Sequence, residues 1–391
     1  VFLHPTSLGS ALVARGSAKL RVGVLGATGA AGLEFVQALE GHPWFEAVAL
    51  YASSRSAGKP FAEACTLDVA GLSSRVREMT VQDLQEVSDS LDLVCSALPS
   101  ELAKEYEARC AAHTPVVSTA SAYRSEPEVP VMVLEANADH LRLLARQQRR
   151  GWKGWIAPGP NCTATGLVMS LCPLHRAVGL RRVVMSSYQS VSGGGYGLIQ
   201  QWKEQRQLAL PYPLEAEEPV ADPPVVFEGN VIGHINGEVE KVKAETKEIL
   251  GLCSGERVTP ADFALDCQCV RVPTVSGHFE TVFVETERPC SPEEARALYE
   301  AFNAECREKY GDLPSSPKQT IVFLDRPPQP YFDANLQGGM ATSIGMLAAS
   351  EAFPGGLQYQ VLSNNTMKGA AKGMIQVAEY LYREAVLRRK G

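Results

Sequence analysis

Cys162 stands in the run GPNCTATGLVM (159–169), after a proline and an asparagine and ahead of small residues that lead into an apolar stretch. The continuation TATGLVMSLCPLHRAV predicts a mostly buried helix with Asn161 or Cys162 at its cap. A thiol at a helix N-terminus has its anion stabilised by the local dipole, and the thiolate is the form that attacks an electrophile. Any one cysteine is more often a packing residue than a nucleophile. What tilts this one toward chemistry is its place at a cap and the nucleotide-binding pattern upstream.

That pattern opens with the strand LRVGVLG (20–26), continues through the tight series GATGAAG (26–32), and passes into the helical run LEFVQALEGHP. Strand, glycine turn and helix in this order open a dinucleotide-binding βαβ unit, although the spacing is G-x-x-G-x-x-G rather than the usual G-x-G-x-x-G. Gly29 and Gly32 allow backbone to approach a pyrophosphate, and the helix start supplies free N–H groups. Gly26, Thr28, Gly29, Ala30 and Ala31 are therefore candidate cofactor contacts. The next strand, EAVALYAS (46–53), ends in SSRSAGK. An NAD enzyme would place an acid here for the ribose 2′-hydroxyl; Ser54, Arg55 and Ser56 suit a 2′-phosphate, which favours NADP. LDLVCSALPS (91–100), with Ser96, and TPVVSTASAYR (114–124) read as further buried parallel strands whose carboxyl ends line the ligand crevice.

The elements beyond Cys162 differ. Long alternating strands are expected over 181–197, 262–275 and 277–287, with helices over 238–250 and 292–308, which makes an α+β unit. Residues 311–340, rich in proline and glycine, predict a long loop or arm, and 367–387 an amphipathic helix. The fold class is thus α/β, a Rossmann-type domain over 20–160 joined to an α+β domain over 161–361. An extension covers 1–19, and the final helix within 362–391 rejoins the nucleotide domain.

Composition narrows the function classes. The 391 residues are 45% hydrophobic and 21% charged, with net charge −7 and no extended Lys/Arg block, which argues against nucleic acid or an anionic membrane as partner. No apolar run reaches the roughly 18 residues of a membrane span. Ten cysteines show no paired spacing, so they read as free thiols in a reducing compartment, with no metal site. Cys267 and Cys269 share one face of a strand and read as packing residues. Residues 1–19 lack acids and carry Arg15 and Lys19, which leaves either an organelle transit segment or a disordered extension. Cytoplasm is the default location.

The motifs GATGAAG, SSRSAGK, PNCTATG, QSVSGGGYG, NGEVEKVKAETKEILG, VRVPTVSGHFE and NNTMKGAA occur in the order seen in the aspartate-β-semialdehyde dehydrogenases. The chain resembles the fungal and archaeal branch of that family from about residue 20 to 387. The resemblance implies reductive dephosphorylation of β-aspartyl phosphate by NADPH, a step toward lysine, methionine and threonine, in a homodimer or homotetramer. Cys162 matches the nucleophile that forms a thioester, and His278 the group that takes and returns its proton, a role that suits a neutral-range pKa. Arg271 matches the arginine that grips the substrate α-carboxylate, and Glu238 the partner of the α-ammonium. Lys241 and Arg124 match the phosphate contacts, Gln189 the residue that orients the acyl group, and Asn161 lies beside the nucleophile among the substrate contacts. Ser192, Gly193 and Gly194 match the loop beside the nicotinamide, and Asn365 an asparagine that reaches the cofactor.

On spacing alone, Glu238 and Lys241 read as an ordinary i,i+3 surface ion pair. Two positions depart from the family pattern. STASAYR offers the hydroxyls of Thr119 and Ser121 where an asparagine is common, and Met346 stands where an arginine is common. Malonyl-CoA reductase and N-acetyl-glutamyl-phosphate reductase are the alternative activities. An inactive NADP-binding scaffold is the alternative of a different class.

Overall fold

The computed structural model describes residues 18–208 and 224–390; the expectations on 1–17 lie outside them. The first sheet contains β1 (Leu20–Leu25), β2 (Phe45–Ala52), β3 (Val81–Asp83), β4 (Leu93–Ser96), β5 (Val116–Ser118) and β6 (Ile156–Pro158). All its pairs are parallel, in the order β3-β2-β1-β4-β5-β6. β1 and β4 are almost wholly buried, as strands covered on both faces must be. The order reverses between β1 and β4, and a ligand crevice opens outside the strand ends at such a point. Helix α1 (Ala30–Leu39) follows the glycine turn, and α2 (Ser100–Ala111) follows β4.

Helix α3 (Cys162–Val178) leaves the first sheet and runs under the second, buried on nearly all sides from Thr163 to Leu174. A helix that is apolar all round belongs in a core, and this one joins the two halves. The second sheet contains β7 (Leu180–Gln189), β8 (Ala264–Arg271), β9 (His278–Thr286), β10 (Ile321–Leu324), β11 (Thr342–Ala349) and β12 (Leu357–Ser363). Its order is β8-β7-β9-β12-β11-β10, with β8·β7 and β11·β10 parallel and the other pairs antiparallel. Between these strands lie α4 (Tyr196–Gln207), α5 (Glu238–Ile249) and α6 (Pro292–Tyr310).

Three expectations on elements are corrected. The strand expected over 181–197 ends at Gln189; SVSGGG forms a tight 3₁₀ turn at Val191–Gly194, and α4 begins at Tyr196. The arm over 311–340 contributes an edge strand, β10, because Ile321–Leu324 pair with β11. The last helix, α7 (Ala371–Arg383), starts later than 367, since the Asn364 side chain holds the N–H groups of Thr366 and Met367 in a turn. α7 packs on α1 and β5 and returns the chain to the first sheet. There the buried Glu379 accepts from His42 Nε2 at 2.8 Å and from Ser315 Oγ at 2.6 Å.

Candidate active site

Register brings the chemical residues into one row. Arg271 at the end of β8 lies beside Gln189 at the end of β7, and the β7·β9 pairing, Phe279 against Tyr188, sets His278 opposite Gln189. His278 also pairs with Ser363 of β12. All four residues are 8% exposed or less. The start of α3 meets this row. Asn161 is the cap residue: its Oδ1 accepts from Thr163 N at 2.9 Å and Ala164 N at 3.2 Å, the bonds an N-cap side chain makes to orphan donors. Cys162 is therefore the first residue of the helix, with Sγ 3.1 Å from His278 Nε2.

Burial, and next the Glu238 carboxylate, push the Cys162 thiol up to about 12, against the opposite pull of Arg124, Arg271 and the Thr163 N–H. Desolvation outweighs the helix terminus here. Burial and the nearby Arg271 guanidinium push His278 down to about 3, with a backbone hydrogen bond at Gly277 acting the other way. Both shifts favour the uncharged forms, thiol and imidazole.

The remaining side chains divide by charge. Glu238 turns inward, away from Lys241: its Oε1 accepts from Gln189 Nε2 at 2.9 Å and Thr163 Oγ1 at 3.3 Å. The i,i+3 ion pair is absent, and Lys241 is exposed. Arg271 is buried with one guanidinium hydrogen bond, Nη1 to the Ser190 carbonyl at 2.7 Å. Gly193 lies over the row, where a Cβ would sit 3.0 Å from both Arg271 Nη1 and His278 Nε2. A side chain at that position would crowd the two groups.

Arg124 is tied to the nucleophile's helix through a residue the sequence did not single out. Its Nη1 lies 3.1 Å from Glu245 Oε1, its Nη2 donates to the Thr119 carbonyl at 2.9 Å, and the other Glu245 oxygen accepts from the Asn161 N–H. Glu245 stands seven residues after Glu238 on α5, two helical turns along the same face, which is the signal that could have found it. The Thr119 and Ser121 hydroxyls bond to Ser96 O at 3.4 Å and Ser100 Oγ at 2.7 Å. Met346 is exposed at a bulge of β11 with φ 54°. Asn365 is turned toward the imidazole: Oδ1 accepts from Gly277 N at 2.9 Å and Ser190 Oγ at 3.2 Å, and Nδ2 donates to Ser192 Oγ at 2.9 Å. These bonds hold the loop beside His278.

The glycine turn fits a dinucleotide. Gly26 has φ 72°, and a Cβ on Gly32 would lie 2.0 Å from the Gly26 carbonyl oxygen, so α1 can start close to β1 only with these glycines. The start of α1 has no side-chain cap and no acid in its first turn, which leaves its N–H groups for a phosphate. Thr28, Gly29, Ala30 and Ala31 are partly or fully exposed there, and Ser54 and Arg55 are exposed beyond β2. Ser96 is buried at the end of β4. Among the described residues no group of His, Cys, Asp and Glu is arranged to hold a metal ion.

Comparison with known proteins agrees with this arrangement. Residues 21–144 match the family model for the semialdehyde dehydrogenase NAD binding domain, and 171–368 that for the semialdehyde dehydrogenase dimerisation domain. Aspartate-semialdehyde dehydrogenase of Methanothermobacter thermautotrophicus is 37% identical over 93% of this chain and 99% of its own, and that of Schizosaccharomyces pombe 32% identical over 94% and 99%. The chain belongs to the aspartate-semialdehyde dehydrogenase family. The Candida albicans aspartate semialdehyde dehydrogenase solved with NADP superposes with TM-score 0.79 at 30% identity, covering 94% of this chain and 100% of that one. Aspartate semialdehyde dehydrogenase II of Vibrio cholerae, solved complexed with ASA, gives TM-score 0.75 at 25% identity, covering 94% and 99%. The archaeal and fungal resemblance of the motifs extends to whole aspartate-semialdehyde dehydrogenase chains.

Proposed function

We propose that this chain converts L-β-aspartyl phosphate to L-aspartate 4-semialdehyde and phosphate, with NADPH as reductant and a thioester on Cys162, in the route toward lysine, methionine and threonine. One observation carries the assignment of roles: a thiol 3.1 Å from an imidazole, with a buried carboxylate and a buried guanidinium on hand for a substrate that bears both charges. In this reading Arg271 takes the α-carboxylate, Glu238 the α-ammonium, and Gln189, bonded to Glu238, orients the acyl group. Arg124 and Lys241 take the phosphate, and Asn161 fixes the start of the helix. The glycine turn, Ser54, Arg55, Ser56, Ser96 and the Ser192–Gly193 loop face the dinucleotide.

The reaction needs proton transfer because a thiol must give up its proton to attack. As the acyl carbon approaches, the Cys162 proton passes to His278 Nε2, sulfur forms the C–S bond, and phosphate leaves with the C–O electron pair and a proton from the ring. A bound substrate, with its α-carboxylate on Arg271 and its phosphate on Arg124 and Lys241, displaces water from beside the Cys162–His278 pair. Bound NADPH supplies the hydride of the reductive half. When the C–S bond breaks, sulfur departs as thiolate and is reprotonated through His278 by a proton from solvent, since the ring's first proton left with phosphate.

A malonyl thioester has no ammonium to meet Glu238, and N-acetyl-glutamyl phosphate has its nitrogen acylated, so either would leave a buried carboxylate unpaired. We also propose that residues 20–160 with the 362–391 return form the nucleotide domain, and that 161–361 form a catalytic domain that pairs two copies. The outer face of its sheet presents Val184 and Tyr188, 43% and 38% exposed, with Phe279 against Tyr188 at 5.7 Å between ring centroids. Among the described residues no helix is long and apolar enough to cross a membrane; we place the enzyme in the cytoplasm. The assignment is tested by following NADPH absorbance with aspartate semialdehyde and phosphate, N-acetyl-glutamate semialdehyde and phosphate, and malonyl-CoA in parallel. Turnover confined to the first is expected; turnover with malonyl-CoA alone would overturn it.

A further inference from the structure

His278 must accept a proton at Nε2 and later release it, so its other nitrogen must suit both the neutral and the protonated ring. A neutral imidazole carries one N–H, and the hydrogen bond at one nitrogen decides where it sits. Ser190 presents two groups to Nδ1: its backbone N–H at 3.2 Å and its hydroxyl oxygen at 3.4 Å. The N–H can only donate, which places the ring proton on Nε2 and leaves His278 unable to take the thiol proton. The hydroxyl oxygen can accept from Nδ1–H, which frees Nε2 as a base and supports the ring once it is charged.

The hydroxyl's own partners orient it for that task. Ser190 Oγ donates to Asn365 Oδ1 at 3.2 Å, so its lone pairs remain for Ser192 Oγ at 3.0 Å and for Nδ1. Asn365 is held in turn by the Gly277 N–H and by its bond to Ser192. Ser190 is fully buried, and its backbone N–H, which faces Nδ1 at 3.2 Å, is the one group of the set that gives up its bond when Nδ1 is protonated. Beside it, a backbone hydrogen bond at Gly277 also favours the protonated ring, and Ser190 Oγ is the side-chain acceptor for the ring. Cys162 faces it from α3, Arg271 from β8 opposes a ring charge, Gln189 of β7 is bonded to Glu238, and Ser363 of β12 is neutral. Among the described residues no carboxylate hydrogen-bonds the ring.

We infer that Ser190 is a positioning residue for catalysis: its hydroxyl, aimed by Asn365, accepts the Nδ1 proton of His278 and so lets that ring serve as base and then acid toward Cys162. The inference rests on the reading of Cys162 and His278 as the acyl-transfer pair. The balance is a single proton: S–H breaks, Nε2–H forms, and Nδ1–H stays on the ring, bonded to Ser190 Oγ. No proton moves onto Ser190.

The test uses the full-length enzyme with aspartate semialdehyde, phosphate and NADP. Ser190→Ala keeps the backbone N–H and loses the acceptor. Its kcat is expected to fall at least tenfold while the aldehyde KM, NADP affinity and Tm stay within the range of the parent, and iodoacetamide labelling of Cys162 at pH 7 slows in step. Asn365→Asp places a carboxylate behind the hydroxyl, and the acidic limb of its pH–kcat profile is expected to move to higher pH. A Ser190→Ala enzyme with unchanged kcat and labelling overturns the inference, because the backbone at Ser190 and Gly277 would then suffice. If Ser190→Ala does not fold, an unmoved limb in Asn365→Asp overturns it. Acyl label on Cys162 in the parent enzyme keeps the two questions apart: its absence fails the acyl-transfer reading itself.

Discussion

Arg271 illustrates how much one buried side chain can decide. Among the described residues its guanidinium has a single hydrogen bond, to the Ser190 carbonyl, and the planar fork it presents matches a carboxylate in a way an ammonium does not. Arg271→Lys is expected to lower kcat/KM about 10- to 100-fold, the loss of one charge-assisted hydrogen bond of about 1.5–3 kcal/mol, chiefly through KM. Steady-state kinetics in aspartate semialdehyde check it, and unchanged KM would remove Arg271 from the carboxylate role. Glu280, two residues past His278 on the same face of β9, is fully buried with neither carboxylate oxygen bonded among the described residues. Burial, and next Cys269, raise its pKa well above 4.5. The unfolded chain releases this proton near pH 4.5 while the native chain keeps it, so its contribution to stability is complete below that pH and is lost as pH rises toward the native value. Glu280→Gln, neutral and of the same shape, is expected to melt progressively higher than the parent as pH goes from 5 to 8. A melting difference independent of pH would show that Glu280 ionises normally.

At the scale of elements, the start of α3 is where sequence and structure agree best and also where they part. A cap at Asn161 or Cys162 was legible from the residues before the helical run, and two backbone N–H groups on Asn161 Oδ1 decide for Asn161. Asn161→Ala is expected to cost about 1 kcal/mol and to lower Tm, whereas Asn161→Asp keeps the cap, holds Tm and slows Cys162 alkylation by adding negative charge beside the sulfur. Equal Tm for Asn161→Ala and the parent would contradict the cap. The upward shift of the Cys162 thiol was not legible, because it comes from burial and from Glu238, which packing rather than local spacing brings to the sulfur. Ser190 meets His278 only through strand register, which local spacing does not encode. Glu245 shares a helix face with Glu238, a legible signal, but its contact with Asn161 comes from packing. The glycine turn and β1 were readable since their requirements are local: positive φ at Gly26 and no Cβ at Gly32. β10 was hidden because a short edge strand in a proline-rich arm looks like loop until β11 pairs with it.

The whole molecule is two sheets stitched together by α3 and by the returning α7. The buried Lys368 ammonium, 2.7 and 2.5 Å from the two Glu135 oxygens, ties the chain just before α7 to the first half, so the loop that carries Asn365 is anchored there. A buried pair of this kind resists loss of one partner far more than it adds net stability. Assembly belongs to this scale too. Tyr188→Asp on the outer face of the second sheet is expected to yield monomers by analytical ultracentrifugation with the fold retained, and an unchanged sedimentation coefficient would place the contact elsewhere. The activity needs every part at once: nucleotide turn, sheet ends and the start of α3. The most direct measurement therefore uses the intact enzyme. Mixed with aspartate semialdehyde and NADP in the absence of phosphate, then acid-quenched and mapped by mass spectrometry, it is expected to carry an aspartyl group on Cys162. Turnover on adding phosphate with no adduct on that sulfur, or an adduct on another of the cysteines, would contradict the account.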